Sequence, residues 1–229
     1  MTMFERVRGT VPLALSVGVL VFVWVEVSLN FSFHWVTEGS LGNGLALPAN
    51  LHLVAPAAFV SWAVFFAAGA DWTAMLRVAA GSVIGAACAL VLMVVAPRIA
   101  GLPDIYGIAA TASVLAVLIV LGSAVGERYL APAVFGGFAS VVFWWITTGL
   151  DGWAPGGGGV GNSVHALASP TTAGAGAFGG VLSVPVFWVF VSVTISLLAG
   201  SVLGYASVRL ATLLASLQPP KVEPAAAEA

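Results

Sequence analysis

Glu26 is the one acidic side chain set within the long, predominantly apolar run from Val11 to Leu29. At the rise of an α-helix it stands about 21 Å along that run. A carboxylate in hydrocarbon is costly unless it faces a cavity or takes up a proton. Asn30 and His34 follow at i+4 and i+8, so one helical face would carry all three polar groups. This spacing fits a proton site at the mouth of a pathway, and equally a snorkelling or helix-pairing role. His34, Glu38, His52 and His165 could gather around a metal ion, but no short ligand motif joins them. No metal and no cofactor are expected. Gly156 to Gly159 superficially suggests a phosphate cradle, yet it lacks the Lys-Ser/Thr and helix start of a P-loop. It reads as a flexible loop. Neither a serine–histidine–acid constellation nor a catalytic carboxylate pair can be argued, so no enzyme is expected.

Pro56 and Pro132 each open an apolar segment. Proline suits a first helical turn, where its missing N–H has no intrahelical partner. The sharper reading is a helix start whose positive dipole end points at a pathway. Phe59, Trp62 and Phe66 are three and four residues apart and share a stripe, and Phe135, Phe138 and Val142 form its counterpart. Such stripes serve either as constrictions in a narrow apolar pore or as packing and lipid contact. Ser82 and Ser201 could bond a solute or a carbonyl of their own helix. Gly81/Gly85, Gly122/Gly126 and Gly200/Gly204 are G-x-x-x-G pairs that let helix backbones approach. Trp144, Trp145 and Trp188 read as residues of an interfacial belt.

The elements that must position these residues are membrane spans. Of the 229 residues, 60% are hydrophobic and 7% charged, against about 25% charged in ordinary soluble domains. A soluble chain of this length could not bury so much apolar surface. Continuous apolar runs, such as Ala109 to Val125, exclude the alternating pattern of barrel strands and leave helices. The formal net charge of −2, with basic residues scattered singly, excludes a nucleic-acid surface. Cys88 is the one cysteine, which excludes an intrachain disulfide and a thiolate zinc site. Six spans are predicted, at about 11–30, 53–70, 76–96, 105–124, 130–149 and 183–208. The first is too long for a cleaved secretory segment and reads as a retained anchor. The whole reads as one transmembrane domain over 1–216, with halves of about 1–96 and 104–216. A glycine-rich outer loop at 150–182 is expected, with a re-entrant piece at Gly174 to Gly180, and a disordered tail at 217–229.

The basic residues orient the chain. With the N-terminus in the cytoplasm, Arg6, Arg8, Arg77, Arg128, Arg209 and Lys221 all fall inside and only Arg98 outside. Both termini are therefore expected in the cytoplasm, as in a multi-pass protein of a bacterial inner membrane.

The chain also repeats itself. Residues 55–63 and 131–139 both fit A-P-A-x-F-x-x-(W/F)-A, and residues 80–85 and 199–204 both fit A-G-S-V-x-G. The matches pair spans two and three with five and six; the first and fourth spans show no convincing match. Two three-helix halves must cross the bilayer in opposite senses, which is the inverted repeat of many transport folds. A channel or facilitator for a small neutral solute or weak acid follows, with its pathway between the halves. The pathway residues would be Glu26, Pro56, Phe59, Trp62, Ser82, Pro132, Phe135, Phe138 and Ser201. The alternatives are a proton-coupled transporter using Glu26 and a non-transporting accessory subunit. The expected partners are the lipid bilayer, a small solute and further copies of the chain.

Further residues carry a resemblance. They are Trp24-Val25-Glu26-Val27-Ser28-Leu29, Trp62 with Phe65-Phe66-Ala67, the small-residue-rich span after Arg77, Pro132 with Phe135-Gly136, and Leu203-Gly204-Tyr205-Ala206. In these the chain resembles the bacterial inner-membrane family catalogued as domain of unknown function 1097. The resemblance implies the fold over nearly all spans and leaves the function open. The loops at 31–52 and 150–182 are longer than the family pattern, and Glu26 stands where a small residue is expected.

Overall fold

The computed structural model describes residues 3–32, 48, 50–99, 106–148 and 184–217. Among them every regular element is a helix. Helix α1 runs Met3–Asn30, α2 Ala55–Ala67, α3 Trp72–Val95, α4 Tyr106–Leu121, α5 Ala131–Thr148 and α6 Val186–Ser216. Short 3₁₀ turns, Ala96–Arg98 and Gly122–Val125, follow α3 and α4. Stretches within α1, α3, α5 and α6 are long and apolar enough to cross a membrane. The other two predicted spans are shorter helices, of 13 residues in α2 and 16 in α4. At 1.5 Å per residue α2 covers only about 20 Å. The predicted ends also move: α1 starts at Met3 rather than 11, and α6 runs on to Ser216 rather than 208. The predicted features at His34, Glu38, Gly156–Gly159, His165, Gly174–Gly180 and 218–229 lie outside the described residues.

Local chemistry sets the α2–α3 hairpin. Ala70 N–H donates to Phe65 O at 3.1 Å and Gly69 N–H to Phe66 O at 3.4 Å. These bonds close the end of α2 around Gly69, whose φ of +113° suits glycine. Asp71 then caps α3, its carboxylate accepting from Ala74 N–H at 2.6 Å.

Small residues make the tertiary contacts, as expected where lipid removes the hydrophobic drive between helices. The broadest contacts are α3 on α5 and α2 on α6. Gly81 meets Leu130 and Ala133, and Gly85 meets Val134 and Phe138. The numbers rise together, so α3 and α5 run parallel. Gly200 meets Ala58 and Ser61, and Gly204 meets Trp62 and Phe65, so α2 and α6 also run parallel. A Cβ on Gly85 would overlap the Val134 carbonyl oxygen, and one on Gly200 the Ala58 carbonyl oxygen. These seams are closed at backbone contact. Helix α3 also crosses α6. Helix α1 packs antiparallel on α6, where Ser16 Oγ donates to Ser207 O at 2.6 Å. Helix α4 leans on the end of α3, with Gly107 against the Ala96 carbonyl.

Two predicted roles change. Gly122 and Gly126 lie past the end of α4 and form no helix seam. Gly122 makes room for the Tyr129 ring, and Gly126 turns the chain at a φ of +107°. Trp144 and Trp145 form no interfacial belt. Both are buried in the core cluster with Leu92, Val189 and Leu197, because α5 turns its Val141–Trp145 face inward. Trp188 packs half-buried on the same cluster.

Candidate functional site at the start of α2

The residues just before α2 are buried without being helical: His52 is 3% exposed and Val54 5%. Buried backbone N–H groups need partners, and an extended segment has none of its own. Serines supply them here. His52 N–H donates to Ser192 Oγ at 3.0 Å, Leu53 N–H to Ser32 Oγ at 2.8 Å, and Val54 N–H to Ser196 Oγ at 2.8 Å. Ser196 Oγ in turn donates to Ser192 O at 2.8 Å, and Ser32 Oγ donates to Leu53 O at 3.1 Å. A serine pair one turn apart on α6 thus replaces the ladder a neighbouring strand would provide. Irregular backbone of this kind is tolerated in membrane proteins where protein covers it.

The His52 imidazole is enclosed with this backbone, and among the described residues its Nδ1 has no hydrogen-bond partner. Burial pushes its pKa below the ordinary value, opposed by a hydrogen bond with the Ser32 backbone. The enclosure thus disfavours the protonated ring.

Past this segment, α2 and α5 diverge around a groove of about 220 Å³. Val54, Pro56, Ala57 and Val60 form one wall, and Ala139, Ser140 and Phe143 the other. A recess of about 60 Å³ adjoins it, reaching Leu29 on α1 and Ser32 just past its end. The lining is apolar apart from hydroxyls. Such a surface accepts a small neutral molecule and rejects an ion, whose desolvation nothing there offsets. Where α2 and α5 touch beyond the groove, a Cβ on Gly136 would stand 2.9 Å from Val60 Cγ1.

The other predicted pathway residues scatter. Pro56 lines both the groove and the recess. Phe59 is half-buried against Trp24, Ala55 and Ala58, with its ring 6.4 Å from Trp62. Trp62 is 3% exposed, and among the described residues its indole N–H has no acceptor. Pro132 and Phe135 lie on the outer surface, and Phe138 is half-buried on the core. Ser82 is buried in the α3–α5 seam, and Ser201 Oγ donates to Leu198 O of its own helix at 2.8 Å. Asn30 Nδ2 donates to the Glu26 carboxylate at 3.0 Å. That pair sits on the exposed face of α1, away from the buried stripe of Pro12, Ser16, Trp24 and Ser28. Sequence reasoning weighed His52 only as a metal ligand and passed over Ser32, Ser140, Ser192 and Ser196. The available signal was the Ser192/Ser196 spacing in an otherwise apolar helix.

Apolar helices of membrane-spanning length, packed through glycine and serine, define a helical membrane protein. The family model described as "Protein of unknown function (DUF1097)" matches residues 14–212, and the chain belongs to that family. No curated protein and no solved structure matches it.

Proposed function

We propose that the chain is a passive conduit for a small neutral solute or protonated weak acid, built from oppositely oriented halves, α1–α3 and α4–α6. The reading rests on one observation: the groove between α2 and α5 opens beside the contact where Val60 meets Gly136. Those residues hold the same position in the A-P-A-x-F repeat, so a two-fold axis relating the halves would pass between them.

Other contacts come in matching pairs and support the inverted arrangement. Gly85 touches the carbonyl of Val134 and Gly200 that of Ala58, and Val134 and Ala58 are again repeat equivalents. Gly137 closes on the carbonyl of Ser82, while Ser61, its equivalent, donates to the carbonyl of Leu197 at 2.6 Å. Ser82 precedes Gly85 by three residues, as Leu197 precedes Gly200. The buried stripe Pro12, Ser16, Trp24 of α1 has the spacing of Gly107, Thr111, Ile119 in α4. The register differs by one turn from the A-G-S-V-x-G match, since Gly85 corresponds to Gly200 rather than Gly204.

In this reading all six helices cross the bilayer of a bacterial inner membrane with both termini in the cytoplasm. The start of α2 then lies outside and the Ala67–Trp72 hairpin inside. Copies of the chain would associate through their exposed apolar faces.

The test is stopped-flow flux into proteoliposomes for urea, ammonia, short-chain acids and amides. At least one should cross faster than in empty vesicles, and Ala139→Trp, which fills the groove, should abolish the difference. No flux above background for any of them overturns the proposal. The proton-coupled alternative requires Glu26, so uptake that persists in Glu26→Gln without a pH gradient excludes it. The closed α3–α5 and α2–α6 seams favour a second reading, a non-transporting subunit, which predicts co-purification with another membrane protein.

A further inference from the structure

Glu26 sits on the uncovered face of α1, and the packing of α1 on α6 fixes its depth. The two helices are antiparallel, with Ser16 Oγ bonded to Ser207 O. Ten residues on from Ser16 is Glu26, and ten back from Ser207 is Leu197. Trp24 clusters with Ala199, which keeps the same register. Helix α6 carries no charged residue from its start at Val186 until Arg209. Leu197 lies about 16 Å from the first and about 18 Å from the second, at 1.5 Å per residue. A hydrocarbon core is about 30 Å thick, so the Glu26 carboxyl stands near its middle.

Ionisable side chains at that depth face a bundle interior or a water-filled cavity, because lipid offers them no partner. Within the protomer Glu26 does neither. Among the described residues Asn30, one turn on, is the one group that donates to its carboxylate. The residues around Glu26 form a seam. Leu15, Val19, Phe22, Glu26 and Leu29 follow at intervals of four, three, four and three. All five are exposed, Phe22 at 71%. This is the spacing by which two helices interlock in a left-handed pair, a packing common between membrane helices. One polar position within such a seam sets its register.

We propose that α1 pairs with α1 of a second copy of the chain along this stripe, with Glu26 and Asn30 of each copy hydrogen-bonded to those of the other. The hydrogen-bonding groups select the occupant. Copies in one membrane share an orientation, so a two-fold pair brings a second Glu26 and a second Asn30 to the same depth. The Asn30 amide, which donates within its own turn, then has the partner's Glu26 within reach as a further acceptor. Any other partner would need a polar group matched to that depth. The inference rests on the bilayer placement and the association of copies given above, and is independent of permeation.

The test uses the full chain, first by sedimentation equilibrium in detergent micelles. The parent should associate reversibly, and Glu26→Leu should weaken the association roughly tenfold, the worth of an interhelical hydrogen bond in lipid. Glu26→Gln keeps a hydrogen-bonding group at that depth and should associate as the parent does. Cross-linking in the membrane locates the contact. In a Cys88→Ser background, Phe22→Cys should form a disulfide between copies on mild oxidation, whereas Val117→Cys, exposed on α4, should not. Circular dichroism establishes that each variant is folded, and if Glu26→Leu fails this check the cross-links decide alone. A monomeric parent, or an association indifferent to Glu26→Leu, overturns the proposal. So does cross-linking through Val117→Cys as readily as through Phe22→Cys, or a Phe22→Cys adduct to a different protein. Flux is not measured here, so failure of this proposal and failure of the conduit reading are told apart.

Discussion

The backbone N–H of Val54 donates to Ser196 Oγ at 2.8 Å across 142 residues of sequence. This bond ties the segment before α2 to the middle of α6, and it lies one helical turn from the matching bond between His52 and Ser192. Ser196→Ala would leave a buried N–H without an acceptor, at a cost of about 1–3 kcal/mol. Thermal unfolding in detergent should show the loss. Hydrogen exchange should localise it to residues 52–54, with the helices protected as before. Ser201→Ala is the control, since that hydroxyl bonds only within α6, and it should change the midpoint little.

Backbone contact at Gly85 and Gly200 makes a second prediction. Alanine at either site would drive a methyl group into a carbonyl of the facing helix, which cannot move as a flexible side chain would. Each substitution should destabilise the bundle by about 1–3 kcal/mol or more. Gly18 has open space around its missing Cβ. Gly18→Ala should instead be neutral or stabilising by up to ~1 kcal/mol, the helix propensity difference. Chemical unfolding midpoints of the three variants give the comparison.

These contrasts indicate which features were legible in the sequence. Close packing at Gly81/Gly85 and Gly200/Gly204 could be read because glycines one turn apart have few other uses in an apolar helix, but the helices they face could not. Nor could their relative register. The A-G-S-V-x-G similarity pairs Gly85 with Gly204, whereas under the proposed inversion its counterpart is Gly200, because packing follows where backbones touch rather than where letters agree. Under the proposed inversion α1 and α4 correspond only in the spacing of their buried residues, with Pro12 and Ser16 standing where α4 has Gly107 and Thr111, so no shared motif marks it. Pro56 was recognisable as part of the site. Ser192 and Ser196 were not, because a serine in an apolar helix ordinarily bonds its own backbone, and His52 stood out only as a possible metal ligand. Only the tertiary placement of residues 51–54 gives these serines another partner.

His52 should make stability depend on pH. Burial lowers its pKa from the ordinary 6.5, so the folded chain resists a proton that the unfolded chain accepts. At pH values well above 6.5 both states hold the ring neutral and stability is unaffected. As pH falls through 6.5 the unfolded state gains protons first and stability declines, levelling off below the folded-state value. His52→Gln should remove this component. The difference between the two unfolding-midpoint profiles, measured from pH 8 to pH 5, isolates it from the other histidines. Parallel profiles would show that His52 titrates alike in both states.

The Tyr129 hydroxyl donates to Ile119 O at 2.7 Å, and its ring fills the space beside Gly122. A Cβ on Gly122 would stand 2.6 Å from Tyr129 Cζ, so Gly122→Ala must displace a ring that the hydrogen bond holds in place. The expected loss is about 1–2 kcal/mol, combining overpacking with a weakened bond. Tyr129→Ala should cost a similar amount by losing the ring and leaving the Ile119 carbonyl unpaired. In the double variant the clash is absent, so the losses should not add. A double-mutant cycle on unfolding midpoints should therefore give a coupling of about 0.5–2 kcal/mol. Simple additivity would mean that the turn after α4 adjusts without the ring, and that Gly122 serves the 3₁₀ backbone alone.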